Sequence, residues 1–197
     1  MKLYYAPGAC SLADHIALIE ADLPHDLVKV DLKAKRTEDG RDFTMINPKG
    51  YVPALELDDG EILTENIAVL SYIADKADTL MPARGLDHWR VLETTAFVST
   101  ELHKNFKPFF NPAASEAEKD EAKTLLAKRF QSIDDRLGGG GAFVVGDAMS
   151  IADCYLFVML VWAEKNGLDI PSRLKNYHDR LKQRPAIERA LREEGHG

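Results

Sequence analysis

The chain has 197 residues and a formal net charge of -7 at pH 7, from 25 Lys plus Arg and 32 Asp plus Glu. That balance excludes a basic footprint for nucleic acid or an anionic membrane. Two cysteines, Cys10 and Cys154, make no disulfide framework, and the longest apolar run, Tyr155–Ala163, is too short for a membrane span. The expectation is a cytoplasmic protein with reduced thiols.

In chain order, Lys2–Tyr5 reads as a short aromatic strand and Ala6-Pro7-Gly8-Ala9 as a turn. From Ser11 onward Leu12, Ile16 and Ile19 recur at helical spacing, and Pro24 ends that region. Leu27–Leu32 alternates as a second strand, and residues 37–45 read as a short helix or an irregular connection. Pro53–Leu57 and Glu61–Leu63 flank Asp58-Asp59-Gly60, a hairpin signal. Thr64 and Glu65 then open a helix with Ile67, Leu70, Ile73 and Ala74 on its apolar face. This order makes residues 1–77 an α/β unit. Residues 78–85, with Pro82 and Gly85, read as a linker. Residues 86–197 read as all-α, with helices over 86–106, 117–137, from Ser150, 172–183 and 185–194. Gly138–Gly141 reads as a flexible break, and Ser150-Ile151-Ala152-Asp153 as a capping box.

Cys10 stands between a Pro-Gly turn and a helix start. The helix dipole and unpaired N–H groups there favour a thiolate, although an isolated cysteine equally suits a small buried turn position. Cys10-Ser11-Leu12-Ala13 occupies the place of Cys-x-x-Cys in a thioredoxin-like unit, without the second cysteine. A monothiol needs an external thiol to resolve a mixed disulfide, and glutathione is the obvious small one. Val52-Pro53 fits the cis-proline position that exposes the preceding backbone to a peptide-like ligand. The helix start at Thr64-Glu65-Asn66 suits a carboxylate, and Glu65 an ammonium, which together describe an α-amino-acid head group. Lys35 is a candidate for a second carboxylate. The six histidines and two cysteines show no metal-ligand spacing.

With these residues the chain resembles the bacterial beta class of cytosolic glutathione transferases over its whole length. The stretches that carry the likeness are Met1–Tyr5, Pro7–Leu12, Asn47–Gly50, Val52–Leu55, Leu57–Gly60, Leu63–Glu65, Thr100–Lys104 and Ser150–Asp153. The resemblance implies a thioredoxin-like N-terminal domain, an all-helical C-terminal domain, a homodimer, and glutathione as co-substrate with no metal. It places Cys10 next to the glutathione sulfur. The Val52 backbone, ahead of Pro53, pairs with the cysteinyl part, Glu65 and Asn66 hold the γ-glutamyl head group, and Lys35 reaches the glycine carboxylate. His103 and Lys104 line the cleft beside Cys10, with Ser11 and Ser99 as further contacts. Cys10 and His103 are the candidate catalytic residues, the imidazole bonding the thiol or accepting its proton. Ala96 departs from the pattern, standing where many members carry an asparagine, and Asn66 stands where serine or glycine is usual. The implied activity transfers the glutathione thiol to hydrophobic electrophiles, with thiol–disulfide exchange through a Cys10 thiol made acidic by the helix dipole. The alternative is a non-catalytic binder of glutathione or hydrophobic ligands on the same fold. A glutaredoxin-like reductase would leave the helical half in excess.

Overall fold

The computed structural model describes residues 1–195. By contact it divides into two units, Met1–Met81 with the segment from Arg184 onward, and Pro82–Gln183. The division differs from the sequence reading at one helix, which the reading grouped with the helical half.

The first unit is built on a mixed five-stranded sheet. Its strands are β1 (Lys2–Tyr5), β2 (Asp26–Asp31), β3 (Arg36–Thr37), β4 (Ala54–Glu56) and β5 (Ile62–Thr64), in the order β3-β2-β1-β4-β5. β1 runs parallel to β2, with Leu3 opposite Leu27, and antiparallel to β4, with Leu3 opposite Leu55. As the central strand it is covered on both faces, so neighbouring Leu3 and Tyr4 are both fully buried. The hairpin at Asp59-Gly60 joins β4 and β5, with Gly60 at φ 88°, where a side chain would be strained. Helix α1 (Leu12–Glu20) carries β1 over to β2, and α2 (Asn66–Ala77) follows β5. Their buried faces, Leu12, Ala13, Ile16 and Ala17 on α1 and Val69, Leu70, Ile73 and Ala74 on α2, pack together. Each fully buried Leu, Ile or Val side chain among them stabilises by about 1.5–3 kcal/mol. The short β3 and a 3-10 turn at Phe43–Met45 resolve the stretch the sequence left open. Phe43 from that turn joins Tyr4, Val30, Val52 and Ala54 in the core.

The second unit contains α3 (Leu86–Phe97), α4 (Lys107–Phe110), α5 (Glu116–Leu137), α6 (Ile151–Lys165) and α7 (Ser172–Lys182). A last helix, α8 (Pro185–Glu193), packs on α1 and belongs to the first unit. α6 is apolar nearly all round and is buried accordingly, from Ile151 to Leu160 without interruption. Its start is a complete capping box, Ser150 with Asp153, as expected from the sequence. α5 starts with a second capping box, Ser115 with Glu118, on the surface.

Two expectations for this unit are corrected. The helix expected over 86–106 is not continuous. A π-helical turn, Val98–Leu102, and a 3-10 turn, His103–Phe106, follow α3. Pro108 has no N–H to return to Lys104, and the chain tightens so that the Lys107 N–H reaches that carbonyl instead. The glycine run is closely packed at Gly138 and Gly141, while Gly140 faces open space. A Cβ on Gly141 would lie 2.6 Å from the Gly146 carbonyl oxygen, so the small residue is required by contact.

Candidate active site

In the first unit the chain turns sharply between β1 and α1. Gly8 at φ 67° allows the turn, and Cys10 lies just past it, half-buried. The Cys10 thiol donates to the Val52 carbonyl at 3.4 Å. The Val52–Pro53 peptide bond is cis, as the sequence suggested. Asn66, the first residue of α2, donates its side-chain amide to the Cys10 carbonyl at 3.0 Å. Cys10, Val52 and Asn66 are thus brought together from three separate stretches of chain. Ser11 is fully buried, and its hydroxyl accepts from the Ala6 N–H at 3.3 Å. It makes no side-chain cap to α1, so its contact within the unit is to the turn.

The charge of Cys10 differs from expectation. Backbone N–H groups of Cys10 and Ser11 do favour the thiolate, as a helix start should. Burial outweighs them, with the Asp14 carboxyl adding to it, and the thiol is pushed up to about 12. The resting group is a protonated thiol. The expectation that the dipole makes it acidic is corrected for that reason.

Glu65 precedes α2 with φ 74°, a conformation costly for a side-chain-bearing residue and often found where a site over-determines the backbone. Its exposed carboxylate accepts from Lys49 Nζ at 2.5 Å and from the Tyr51 hydroxyl at 2.7 Å. The Lys49 ammonium first, and Tyr51 second, hold that carboxyl below the usual range. The sequence reading matched Glu65 to an ammonium but missed Lys49 and Tyr51. The available signal was their position in the loop directly before Val52-Pro53. Lys35, also at positive φ, donates to the Gly50 carbonyl at 2.6 Å on the same loop.

The remaining expected site residues lie in the second unit. Ser99 is half-buried inside the π-helical turn, a feature frequent at functional sites, and the exposed Lys104 follows His103. His103 Nδ1 is 2.5 Å from the Tyr155 hydroxyl, and its ring stands edge-on to Trp162 with centroids 5.0 Å apart. Burial, then the neighbouring Lys104 charge, lower the imidazole to about 4, so His103 is neutral and a weak base. His103, Lys104, Lys107, Phe110, Asn111 and Pro112 line an open cavity of about 630 Å³. Ala96 is exposed on α3. Among the described residues no group of three or more His, Cys, Asp or Glu is placed to hold a metal ion, and no helix is long and apolar enough to cross a membrane.

Cys10 thus lies beside the cis Val52–Pro53 bond, and the Glu65–Lys49 pair stands at the start of the next helix. Comparison with known proteins identifies the family. Residues 9–76 match the glutathione S-transferase N-terminal domain and residues 97–185 its C-terminal domain. The chain is 40% identical to glutathione S-transferase GstA of Escherichia coli O157:H7, with 99% of each chain covered. It is similar to the solved structure of a sphingomonad glutathione S-transferase complexed with glutathione, at 46% identity and a TM-score of 0.93, covering 100% of both chains. The bacterial beta class glutathione S-transferase of Sphingomonas chungbukensis is similar at 42% identity and a TM-score of 0.92, again over 100% of both chains. The chain therefore belongs to the glutathione S-transferase family.

Proposed function

We propose that this glutathione S-transferase works through Cys10, exchanging thiols and disulfides as well as transferring the glutathione thiol to hydrophobic electrophiles. The observation that carries the reading is the Cys10 thiol resting on the Val52 carbonyl. Bound glutathione would pair its cysteinyl part with the same Val52 backbone. The Cys10 thiol would then lose an acceptor that favours its protonated form, which eases loss of the proton. Glu65 and the start of α2 at Asn66 suit the γ-glutamyl head group. The ammonium of that group competes with Lys49 for Glu65, and Lys49 is displaced cheaply because exposed ion pairs contribute only about 0–1 kcal/mol. Lys35 suits the glycine carboxylate. Ser11, Ser99, His103 and Lys104 are proposed glutathione contacts on the resemblance alone.

In the exchange, the Cys10 thiolate attacks the glutathione sulfur of a mixed disulfide R–S–S–G. A Cys10–S–S–G bond forms and R–S⁻ leaves to take up a proton. A second glutathione thiolate then attacks that bond, releasing oxidised glutathione and the Cys10 thiolate. Intact-mass measurement after incubation with oxidised glutathione tests the first step. A single glutathione adduct, mapped to the Cys10 peptide and absent in Cys10→Ala, supports the reading. No adduct, or one on Cys154, overturns it.

A second reading, glutathione or hydrophobic-ligand binding without turnover, draws on one observation: burial holds the Cys10 thiol protonated. Glutathione binding with neither disulfide turnover nor conjugation would select it. A reducing cytoplasm and a homodimer complete the proposal. Leu86 and Trp89 at the start of α3, 66% and 64% exposed, are apolar surface that self-association would cover.

A further inference from the structure

Asp14 lies in the first turn of α1, four residues after Cys10. Side chains on a helix tilt toward its N-terminus, so the carboxyl leans toward the Cys10 end. The residue is 0% exposed, and neither carboxyl oxygen has a hydrogen-bond partner among the described residues. A buried carboxyl without a donor is costly, and one in a native core calls for a reason. Compensation of the helix dipole does not supply it. Glu116 and Glu118 do that at the start of α5 while fully exposed.

Among the described residues, no cation is among the groups that act on Asp14. The charged neighbour that acts on Asp14 is Glu194, just past α8. Glu194 is itself held by His15 at 3.1 Å and by the Gly8 N–H at 2.8 Å. The groups that act on Cys10 are Asp14 and, from the start of α2, Glu65, with Tyr51 coupled to the thiol from the loop before Pro53. β1 presents Tyr5, itself coupled to Glu194. The charged groups that act on the thiol and on the Asp14 carboxyl are therefore acids.

We propose that Asp14 is a positioning residue for Cys10: the buried, unpartnered carboxyl one helical turn beyond the thiol governs when the thiol releases its proton. Two coupled acids titrate as a pair, and ionisation of one disfavours ionisation of the other. Cys10 becomes a thiolate most readily while Asp14 keeps its proton. The consequence for catalysis rests on the Cys10 chemistry proposed above, whereas the coupling does not.

The test is the rate of Cys10 alkylation by iodoacetamide across a pH series, in the full chain and in Asp14→Asn, read on the Cys10 peptide by mass spectrometry. The expected result is a lower midpoint in Asp14→Asn and alkylation at least about threefold faster near pH 8, the direction that loss of a like charge dictates. An unchanged midpoint in a folded variant overturns the proposal. A merely structural role would move the melting temperature without moving the midpoint. Should Asp14→Asn not fold, the wild-type Asp14 carboxyl is followed by 13C NMR. A midpoint well above ordinary carboxylates that shifts in Cys10→Ala supports the coupling, and an ordinary midpoint unaltered by Cys10→Ala overturns it. Disulfide turnover in Cys10→Ala separates the two claims. Turnover that survives there, with the alkylation midpoint still moved by Asp14→Asn, sinks the catalytic reading and keeps the coupling. Turnover that needs Cys10, with no midpoint shift, does the reverse.

Discussion

Each unit buries an aspartate in the first turn of a helix, and the two are treated in opposite ways. Asp153 of α6 accepts from the Val144 N–H at 2.9 Å, the Ser150 N–H at 2.8 Å, the Ser150 hydroxyl at 2.7 Å and the Tyr177 hydroxyl. Asp14 of α1 accepts from no partner among the described residues. A saturated buried acid ties loop, cap and neighbouring helix into one network, and its value is structural. An unsatisfied one beside a nucleophile costs stability and changes the proton chemistry around it. Burial and residue type are the same in both places, and the donors around them decide which role follows.

The largest expected effect breaks or keeps that contrast outright. Asp153→Ala leaves four donors without their acceptor and should destabilise by about 3–5 kcal/mol, read by denaturant unfolding. Asp14→Ala should cost far less. Equal losses would mean that the two aspartates do the same work.

Glu65 sharpens the contrast from the other side, because its carboxylate is exposed and its backbone strained. Glu65→Gln should weaken glutathione binding about tenfold, equivalent to about 1.4 kcal/mol by titration calorimetry, with little change in melting temperature. A large melting shift with unchanged affinity would make Glu65 a structural residue. The exposed capping box at Ser115 gives a smaller, purely structural comparison. Ser115→Ala should cost about 1 kcal/mol and leave glutathione affinity untouched.

The pH response should separate buried histidines from the unpartnered aspartate as well. His103 and His178 are both lowered to about 4, chiefly by burial. Below about pH 6.5 the unfolded chain takes up protons that these folded histidines refuse, so their contribution is lost as pH falls toward 4. Asp14 runs the opposite way. Burial raises its carboxyl well above the ordinary value, so the folded state holds a proton that the unfolded state releases above about pH 4. Stability from this group falls as pH rises from there, and Asp14→Asn should remove that fall. The melting difference between variant and wild type should therefore widen from acid toward neutral pH. A constant difference would contradict the assignment.

Sequence made some of this legible and hid the rest for physical reasons. The Ser150–Asp153 box is a local motif, with both partners three residues apart, and it appears as expected. Cys10 beside Val52 was reachable because a turn, a proline and a hairpin mark the same architecture. The Lys49–Glu65 pair spans 16 positions and carries no periodic signal, so only the folded loop reveals it. The acidic-thiol expectation for Cys10 failed because a dipole is local and readable, whereas burial depends on packing between distant segments. Asp14 carried no signal in the sequence for the same reason. Pro108 marked the end of the long helix near Phe106, but the break after α3 and the π-helical turn ahead of His103 left no compositional trace.

The central claim is that Cys10 carries the chemistry. Its most direct test is steady-state reduction of a small glutathione mixed disulfide by wild type and Cys10→Ala, with glutathione binding checked in both. Turnover in the wild type that falls to the uncatalysed rate in Cys10→Ala, with binding retained, is the predicted result. Turnover of similar size in both would contradict it and place thiol activation on another residue.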